Sequence, residues 1–578
     1  MNKLSLTLLT LLAACCLTPT LMAKPSKTVT LRLIGTSDVH GAFFPYDFIE
    51  RAPMRGTLAR ASTYIKEQRR QFGDRLILLE NGDILQGQPT CYYTNFVKTD
   101  EPNIAAQVVN YLHYDAQCFG NHDVETGHAV YDKWIKDVNC PMLGANIIDL
   151  KGGKPYVEPY LMLERHGIRI AVLGMLTPAI PNWLHQSLWS GMYFEDIVSC
   201  AKRWVKVLKE KEKADIIIGL FHSGWDGGIT TDDYMEDATR KVAETLPEID
   251  VIFFGHDHTE RNTTLPNGVL CLDPSNNALN VAQATLECSR VNGRWTVRRK
   301  QGDIVDITGQ AVDEDYLHHF QPQIDAIQQY VGRQIGTFLT SIRSSDGFFG
   351  SCAFIDYVHQ LQLEETHADI SFNAPLHFNT RINEGAVYVS DMFKLYRYEN
   401  NLYTLLMNGR EVRQMLEMSY DQWVNTMQSP DDHIMLLAEK TYNDKQRMGF
   451  KNLTFNFDSA AGIDYEVDVT KPDGEKVHIL QFSDGRPFDE EAWYRVAMNS
   501  YRGNGGGELL MRGAGIAKDS IPGRIEYVSE RDLRYYLTKK IEREQTVDAK
   551  ANNNWRFVPE AWALPAIERD RSLLFPNR

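Results

Sequence analysis

Gly120-Asn121-His122-Asp123 is the stretch from which the fold of this chain is read. Asn121 offers a neutral carbonyl oxygen to a divalent cation. His122 offers a ring nitrogen that can donate to a charged oxygen. Taken alone, Asn-His in a loop is a turn with a satisfied imidazole. The tetrapeptide gains meaning because four other apolar segments end in the same kind of chemistry.

Outward from it, Val29, Leu31 and Leu33 alternate with polar residues as in a strand, and the run ends at Asp38-Val39-His40. Leu76-Ile77-Leu78-Leu79 has the composition of a short buried strand and ends at Asn81-Gly82-Asp83. Residues 114–119 lead into Asn121-His122, residues 214–220 reach His222, and residues 249–254 end at Gly255-His256-Asp257-His258. Helix-like stretches lie between, at 57–71, 101–112, 196–211 and 232–246. Strand alternating with helix predicts α/β layers, in which ligands gather beyond the carboxyl ends of the strands.

By chemistry, Asp38, His40, Asp83, Asn121, His222, His256 and His258 form one ligand set. Seven ligands exceed what one tetrahedral site uses, so the set predicts two divalent cations sharing a carboxylate, with His122 opposite them donating to a transferring phosphoryl group or to its leaving oxygen. A mixed nitrogen and oxygen set admits zinc, manganese, cobalt or iron. Asp123 and Asp257 read as solvated or capping carboxylates.

The remaining composition bounds the partners. A chain of 578 residues divides into at least two domains. Its net charge of -15 argues against nucleic-acid polymers and anionic membranes as partners, while bound cations still allow a small anionic ligand. Lys3 followed by an apolar run over residues 4–17 reads as an export signal. It ends either after Ala23, giving residues 1–23 as a signal peptide, or before Cys15 as a lipid-anchored terminus. Seven later cysteines show no Cys-x-x-Cys pair and do not form a disulfide framework. No later apolar run is long enough to span a bilayer.

Residues 28–310 are thus expected to form the catalytic domain. Residues 311–337 would be a connector helix, with Leu317, Phe320, Ile324, Ile327 and Val331 on one face and His318 and His319 toward solvent. Residues 338–578 would form a second domain, which shows no second metal set. Residues 452–458 read as a strand with Phe455 and Phe457 on one face, and Tyr501 opens a loop containing Gly505-Gly506-Gly507. An aromatic at such a loop mouth can stack on a base, although a core Phe pair and a flexible turn account for the residues equally well.

Asp38-x-His40, Gly82-Asp83, Gly120-Asn121-His122, His222 and Gly255-His256-x-His258 resemble the calcineurin-like metallophosphoesterase pattern in nucleotidase order. The resemblance implies a four-layer sandwich domain joined by a helix to an α/β nucleotidase carboxyl-terminal domain. It assigns Asp38, His40, Asp83 and His258 to one metal and Asp83, Asn121, His222 and His256 to the other. His122 matches the family's catalytic histidine. Glu125 stands where some nucleotidases carry an orienting Asp.

The second half is similar to the same family through Ile370-Ser371-Phe372-Asn373-Ala374-Pro375, Leu395-Tyr396-Arg397-Tyr398-Glu399-Asn400, Phe455-Asn456-Phe457-Asp458 and Asn499-Ser500-Tyr501-Arg502. The nearest branch is the bacterial periplasmic 2',3'-cyclic-nucleotide 2'-phosphodiesterase/3'-nucleotidases. By that resemblance Phe457 and Tyr501 are the jaws of a base clamp, with Phe455 a second candidate for the first jaw. Asn373 and Arg381 would contact ribose or phosphate. Ala374-Pro375 stands where 5'-nucleotidases tend to have glycines, while the Glu125 form is unusual for the cyclic branch. The expected function is an exported hydrolase of nucleotide phosphate esters. A 5'-nucleotidase or UDP-sugar hydrolase is the alternative enzyme, and an inactive surface protein that binds nucleotides or a partner is the alternative of another class.

Overall fold

A computed structural model describes residues 28–442 and 445–576. The expected signal peptide and Cys15 lie outside the described residues. In the first domain, β1 (Thr28–Thr36), β2 (Leu76–Glu80) and β3 (Ala116–Cys118) run parallel in the middle of a six-stranded sheet. On the far side β1 pairs antiparallel with the long hairpin Asn280–Val291 and Arg294–Asp306. A second six-stranded sheet holds β4 (Ile216–His222) and β5 (Val251–Phe254), parallel to each other and to Ile168–Leu176.

The inner faces of the two sheets pack on each other through Leu31, Leu33, Ile77, Leu79, Ile170, Ile218 and Phe253, all buried. Helices Leu58–Phe72, Ile104–Leu112 and Glu314–Val331 cover the outside of the first sheet. Helices Ile197–Glu210 and Thr239–Thr245 cover the outside of the second. The result is helix, sheet, sheet, helix, the four-layer sandwich expected from the sequence. The five strand ends that carry ligands belong to two stacked sheets whose carboxyl edges coincide.

Helix starts follow their caps. Thr57 accepts from the amides of Ala59 and Arg60, Asn103 from Ala105 and Ala106, and Asp196 from Ser199. One helix is shorter than the sequence predicts. Within 232–246 only Thr239–Thr245 is helical, and Met235–Asp237 instead pairs with Gly227–Thr230 as a hairpin.

The helix between the domains spans Glu314–Val331 and buries Tyr316, Phe320, Ile324, Ile327 and Val331 in the first domain's core, with Leu317 only partly covered. His318 and His319 are exposed. The next strand, Gln334–Phe338, already pairs with Gly385–Tyr388 of the second domain.

That domain is built on a five-stranded sheet ordered Ser459–Ala461, Ile370–Asn373, Trp493–Asn499, Asn401–Asn408, Ile525–Asp532. One of its cores surrounds Trp423, Tyr420 and Phe457. The other takes in Tyr92 from the first domain. There the Tyr92 and Phe393 rings meet edge-on at 5.5 Å, and the guanidinium of Arg534 lies 4.7 and 4.2 Å from their centroids. Lys394 also pairs with Glu50 across the junction at 3.0 Å. The seven cysteines from Cys91 to Cys352 are free thiols, and among the described residues no helix is long and apolar enough to cross a membrane.

Candidate metal centre and substrate mouth

Each predicted ligand follows one of the five strand ends or the short turn after it. Asp38 and His40 follow β1, Asp83 follows β2, Asn121 follows β3, His222 ends β4, and His256 and His258 follow β5. One ligand atom from each of Asp38, His40, Asp83 and His258 lies within 4.8 Å of the others. The Asp38 carboxylate is 3.3 Å from Nε2 of His258 and 4.0 Å from Nε2 of His222. Asp83 Oδ2 is 3.3 Å from the same His222 nitrogen. Asn121 Oδ1 sits 3.2 Å from Nε2 of His222 and 2.8 Å from Nδ1 of His256. The seven residues therefore converge on one edge: Asp38, His40, Asp83 and His258 meet at one point, and His222, close to Asp83, links them to Asn121 and His256.

The imidazoles are aimed by what they touch on their other side. His222 donates from Nδ1 to the Asn81 carbonyl at 2.7 Å, and His40 donates from Nδ1 to the Gln86 carbonyl at 3.0 Å. A carbonyl cannot donate, so each ring must carry a proton there, which leaves Nε2 as the nitrogen that faces the cluster. His256 is turned the other way round, with Nε2 3.0 Å from Oε1 of Glu236 and Nδ1 toward the cluster. A carboxylate behind a ligating imidazole fixes its tautomer and raises its basicity. Asp237 lies 3.8 Å from the same nitrogen.

Sequence reasoning missed Glu236 and Asp237 because it placed them in a helix. The signal for the hairpin was Gly227-Gly228 ahead of Ile229 and Thr230, with Thr231-Asp232-Asp233 as the turn.

The backbone around the ligands is unusual. Asp38, His40, Asp83, His256 and His258 all take positive φ, from 49° to 83°. Each such residue costs about 1–3 kcal/mol, and the surrounding contacts hold it in place. Asp123 is one of those contacts: it is buried and accepts from the amides of Asp83, Ile84, Leu85 and Gly120 at 2.8–2.9 Å. It braces the Asp83 turn, so its role is a cap as expected, although a buried one. A Cβ on Gly120 would lie 2.1 Å from Asp83 Oδ1, so only glycine lets these two turns meet. Asp257 likewise caps, accepting from the Trp225 and Thr259 amides.

Burial would lower the His222 pKa, yet Asp83 and Asp38 raise it to about 10, so a cation would take its Nε2 in exchange for a proton. Burial opposes the charge on Asp38, but His222 and His258 pull its pKa down to about 2. Burial likewise opposes the charge on Asp83, which His222, His122 and His40 hold well below the usual carboxylate range. Burial keeps His40 neutral, with a pKa of about 4. His122 goes the other way. Burial would lower it, yet Asp83 and Glu125 raise it to about 9. Its Nδ1 lies 2.8 Å from Oε2 of Glu125, so Glu125 makes the orienting contact despite its extra methylene.

In the second domain the structure corrects the expected clamp. Residues 452–458 do not form a strand, because Thr454–Asn456 is a 3-10 turn, and Phe455 and Phe457 therefore do not share a face. Phe457 is 0% exposed, stacked on Trp423 at 5.5 Å and 3° and edge-on to Phe450 at 5.4 Å. A ring sealed in a core cannot hold a base, so Phe457 is not a jaw in this arrangement.

Phe455 is half-buried, and its ring stands edge-on to that of Tyr501, with the centroids 6.1 Å apart and the planes at 87°. Buried Arg502 joins the two segments: it binds Asp458 at 2.7 and 3.0 Å and the Phe455 carbonyl at 3.1 Å. Gly506 lets the Tyr501 ring lie flat on the loop, since a Cβ there would be 2.5 Å from it.

The loop after Tyr501 reaches toward the metal edge. Asn504 donates to the Trp183 carbonyl across the junction at 3.5 Å, and the Trp183 ring lies 5.8 Å from that of His256. Of the other two expected substrate contacts, Asn373 is buried in its strand with no hydrogen-bond partner for Oδ1. Arg381 is exposed and donates to Ser341 at 3.0 Å, and none of its contacts joins the metal cluster or the Phe455–Tyr501 pair.

Comparison with known proteins finds two family matches along the chain. Residues 31–260 match the model of the calcineurin-like phosphoesterase family, and residues 331–512 match that of the 5'-nucleotidase carboxyl-terminal domain. A Haemophilus influenzae protein named 2',3'-cyclic-nucleotide 2'-phosphodiesterase/3'-nucleotidase is 27% identical, over 93% of this chain and 89% of its own length. A Vibrio cholerae 5'-nucleotidase is 31% identical over 44% of this chain and 45% of its own. The solved structure of a Thermus thermophilus 5'-nucleotidase precursor shares the fold, with a TM-score of 0.60 and 18% identity, covering 92% of this chain and 100% of that one. With a phosphoesterase domain whose family uses divalent metals, followed by a nucleotidase domain, this chain is a two-domain member of the calcineurin-like metallophosphoesterase and nucleotidase family, hydrolases of phosphoric esters.

Proposed function

We propose that the chain is an exported phosphoesterase that opens 2',3'-cyclic nucleotides and then removes the remaining 3'-phosphate, using two divalent cations. The observation that supports the reading is the convergence of the seven residues, with Asp83 Oδ2 and Asn121 Oδ1 3.3 and 3.2 Å from the same nitrogen of His222. Asp38, His40, Asp83 and His258 would hold one cation, and Asp83, Asn121, His222 and His256 the other. When bound, the pair supplies charge neutralisation for the phosphate and an activated water.

The protein's own groups do the rest. His222 and His40 turn Nε2 toward the cluster because Asn81 and Gln86 hold their Nδ1 protons. His122, kept protonated beside Asp83 and Glu125, donates a proton or hydrogen bond at the reacting phosphoryl group or its leaving oxygen. Phe455 and Tyr501 hold the base and so position the phosphate. Stacking of this kind contributes about 1–3 kcal/mol per base.

The choice of cyclic and 3'-nucleotides over 5'-nucleotides rests on relatives of that name that match along nearly the whole chain. The 5'-nucleotidase reading draws on the Vibrio cholerae relative, whose similarity spans less than half of each chain. Phosphate release from 2',3'-cyclic AMP (with any phosphate-monoester product recorded), 3'-AMP and 5'-AMP, with and without chelator, decides between them. The first two are expected to be hydrolysed, and chelator to abolish both activities. Turnover of 5'-AMP alone would replace the proposal, and chelator-insensitive nucleotide binding without turnover would favour the binding-protein reading. Export would leave a mature chain starting at Lys24 or at an acylated Cys15, which intact mass distinguishes.

A further inference from the structure

The orienting carboxylate behind His122 is itself held from the other domain. Glu125 makes three side-chain contacts. Its Oε2 is 2.8 Å from His122 Nδ1 and accepts from Gln86 Nε2 at 2.9 Å. Its Oε1 accepts from Asn400 Nδ2 at 3.2 Å. His122, Gln86 and Glu125 belong to the first domain, whereas Asn400 precedes strand Asn401–Asn408 in the central sheet of the second.

Asn400 is 4% exposed and fixed on its own side of the junction. Its carbonyl accepts from the Leu533 amide at 2.9 Å, and Tyr396 reaches its Oδ1 at 3.5 Å. The preceding residue, Glu399, forms a buried ion pair with Arg534. That guanidinium is in turn wedged over Tyr92 of the first domain. The amide of Asn400 thus points across the junction from a rigid base, at the point where the second domain grips the first.

We infer that Asn400 is a positioning residue for catalysis: its cross-domain hydrogen bond completes the alignment of Glu125 and His122, so the proton donor is set only when the two domains are docked. This rests on the phosphoesterase reading above and adds a dependence that a single-domain site would lack. A neutral amide donating to a carboxylate forms a charge-assisted bond in a water-poor junction, where it is stronger than at a surface. Asn400 touches neither the ligand cluster nor the Phe455–Tyr501 mouth. Its removal should therefore spare metal content and substrate binding and act on kcat.

The test is steady-state hydrolysis of 3'-AMP by Asn400→Ala, Asn400→Leu, Glu125→Ala and the double variant Asn400→Ala/Glu125→Ala, with bound metal and Tm measured for each. Both Asn400 variants are expected to lower kcat about 10-fold with KM and metal content unchanged. The double variant should be no worse than Glu125→Ala, because the two residues act through one path. Leucine has the same branched heavy-atom skeleton as asparagine without its amide, so it keeps the junction filled where alanine leaves a gap. If Leu restores kcat, Asn400 is packing and the inference fails. It also fails if kcat is unchanged in both variants, or if the penalties of Asn400→Ala and Glu125→Ala multiply. If the wild-type protein shows no chelator-sensitive turnover of 3'-AMP, 2',3'-cyclic AMP or 5'-AMP, the phosphoesterase reading itself is what fails.

Discussion

Five of the seven residues at the metal edge hold left-handed backbone, whereas neither Phe455 nor Tyr501 in the mouth of the second domain does. The edge is fixed from behind by buried groups, Asn81 and Gln86 carbonyls on the imidazoles and Asp123 under the Asp83 turn, and by part-buried Glu236 behind His256. The mouth rests on half-buried rings over a 3-10 turn and a glycine loop, pinned by one arginine. Groups that must meet an ion are set by strained backbone and second-layer contacts. Groups that must accept a flat base are set by side chains that retain room to adjust. The difference predicts that substitutions at the edge cost turnover and metal, and that those at the mouth cost substrate binding or folding according to which ring is removed.

The largest effect is expected at His122. His122→Ala should lower kcat by about 10²–10⁴-fold with both metals retained, because proton donation is lost while the cluster stands. Loss of metal in that variant would show that His122 belongs to the scaffold of the edge.

The mouth gives the sharpest contrast between neighbours. Phe457→Ala should cost about 3–5 kcal/mol of stability by urea unfolding, since it empties a core site between Trp423 and Phe450. Phe455→Ala should leave stability nearly unchanged and raise KM by the factor that corresponds to about 1–3 kcal/mol of stacking. A raised KM for Phe457→Ala without destabilisation would return Phe457 to the clamp.

Glu236→Gln probes the second layer of the edge alone. Metal titration is expected to show about 10–100-fold weaker binding, the usual effect of removing a carboxylate from behind a ligating imidazole. Unchanged affinity would make Glu236 a bystander in the hairpin.

The second domain also hides a titratable group with no ligand role. His359 is fully buried between Ser371 and Ser459, and burial depresses its pKa from 6.5 to about 3. Below pH 6.5 the unfolded chain takes up a proton that the folded one refuses, so stability is complete above 6.5 and drains away as pH falls toward 3. At pH 5 the loss attributable to this residue is about 2 kcal/mol, read as the difference between wild type and His359→Gln in urea midpoints at pH 7.5 and 5.

Much of the edge could be read in the sequence, for a physical reason. His, Asp and Asn directly after buried strands have few structural uses, and five such endings narrow the reading to a common edge. What could not be read was which side chains stand behind the ligands. Glu236 lay in a segment whose composition suits a helix; Gly227-Gly228 and the Thr231-Asp232-Asp233 turn mark a hairpin, but not that its second strand sets Glu236 behind His256. The mouth failed differently. Two phenylalanines two apart share a face only on a strand, and one 3-10 turn at Thr454–Asn456 sends the second into the core. Aromatic identity does not separate a jaw from a core ring, because both need the same side chain. The cross-domain reach of Asn400 could not be read at all, since it depends on how two independently patterned domains dock.

The central claim is that Asp83 joins two cation sites on one edge, and metal content per folded chain tests it most directly. Elemental analysis after saturation and desalting should find two equivalents in the wild-type protein and no more than one in Asp83→Asn, with hydrolysis reduced to background. A wild-type chain that binds no metal, or an Asp83→Asn variant that keeps both equivalents, would contradict the account.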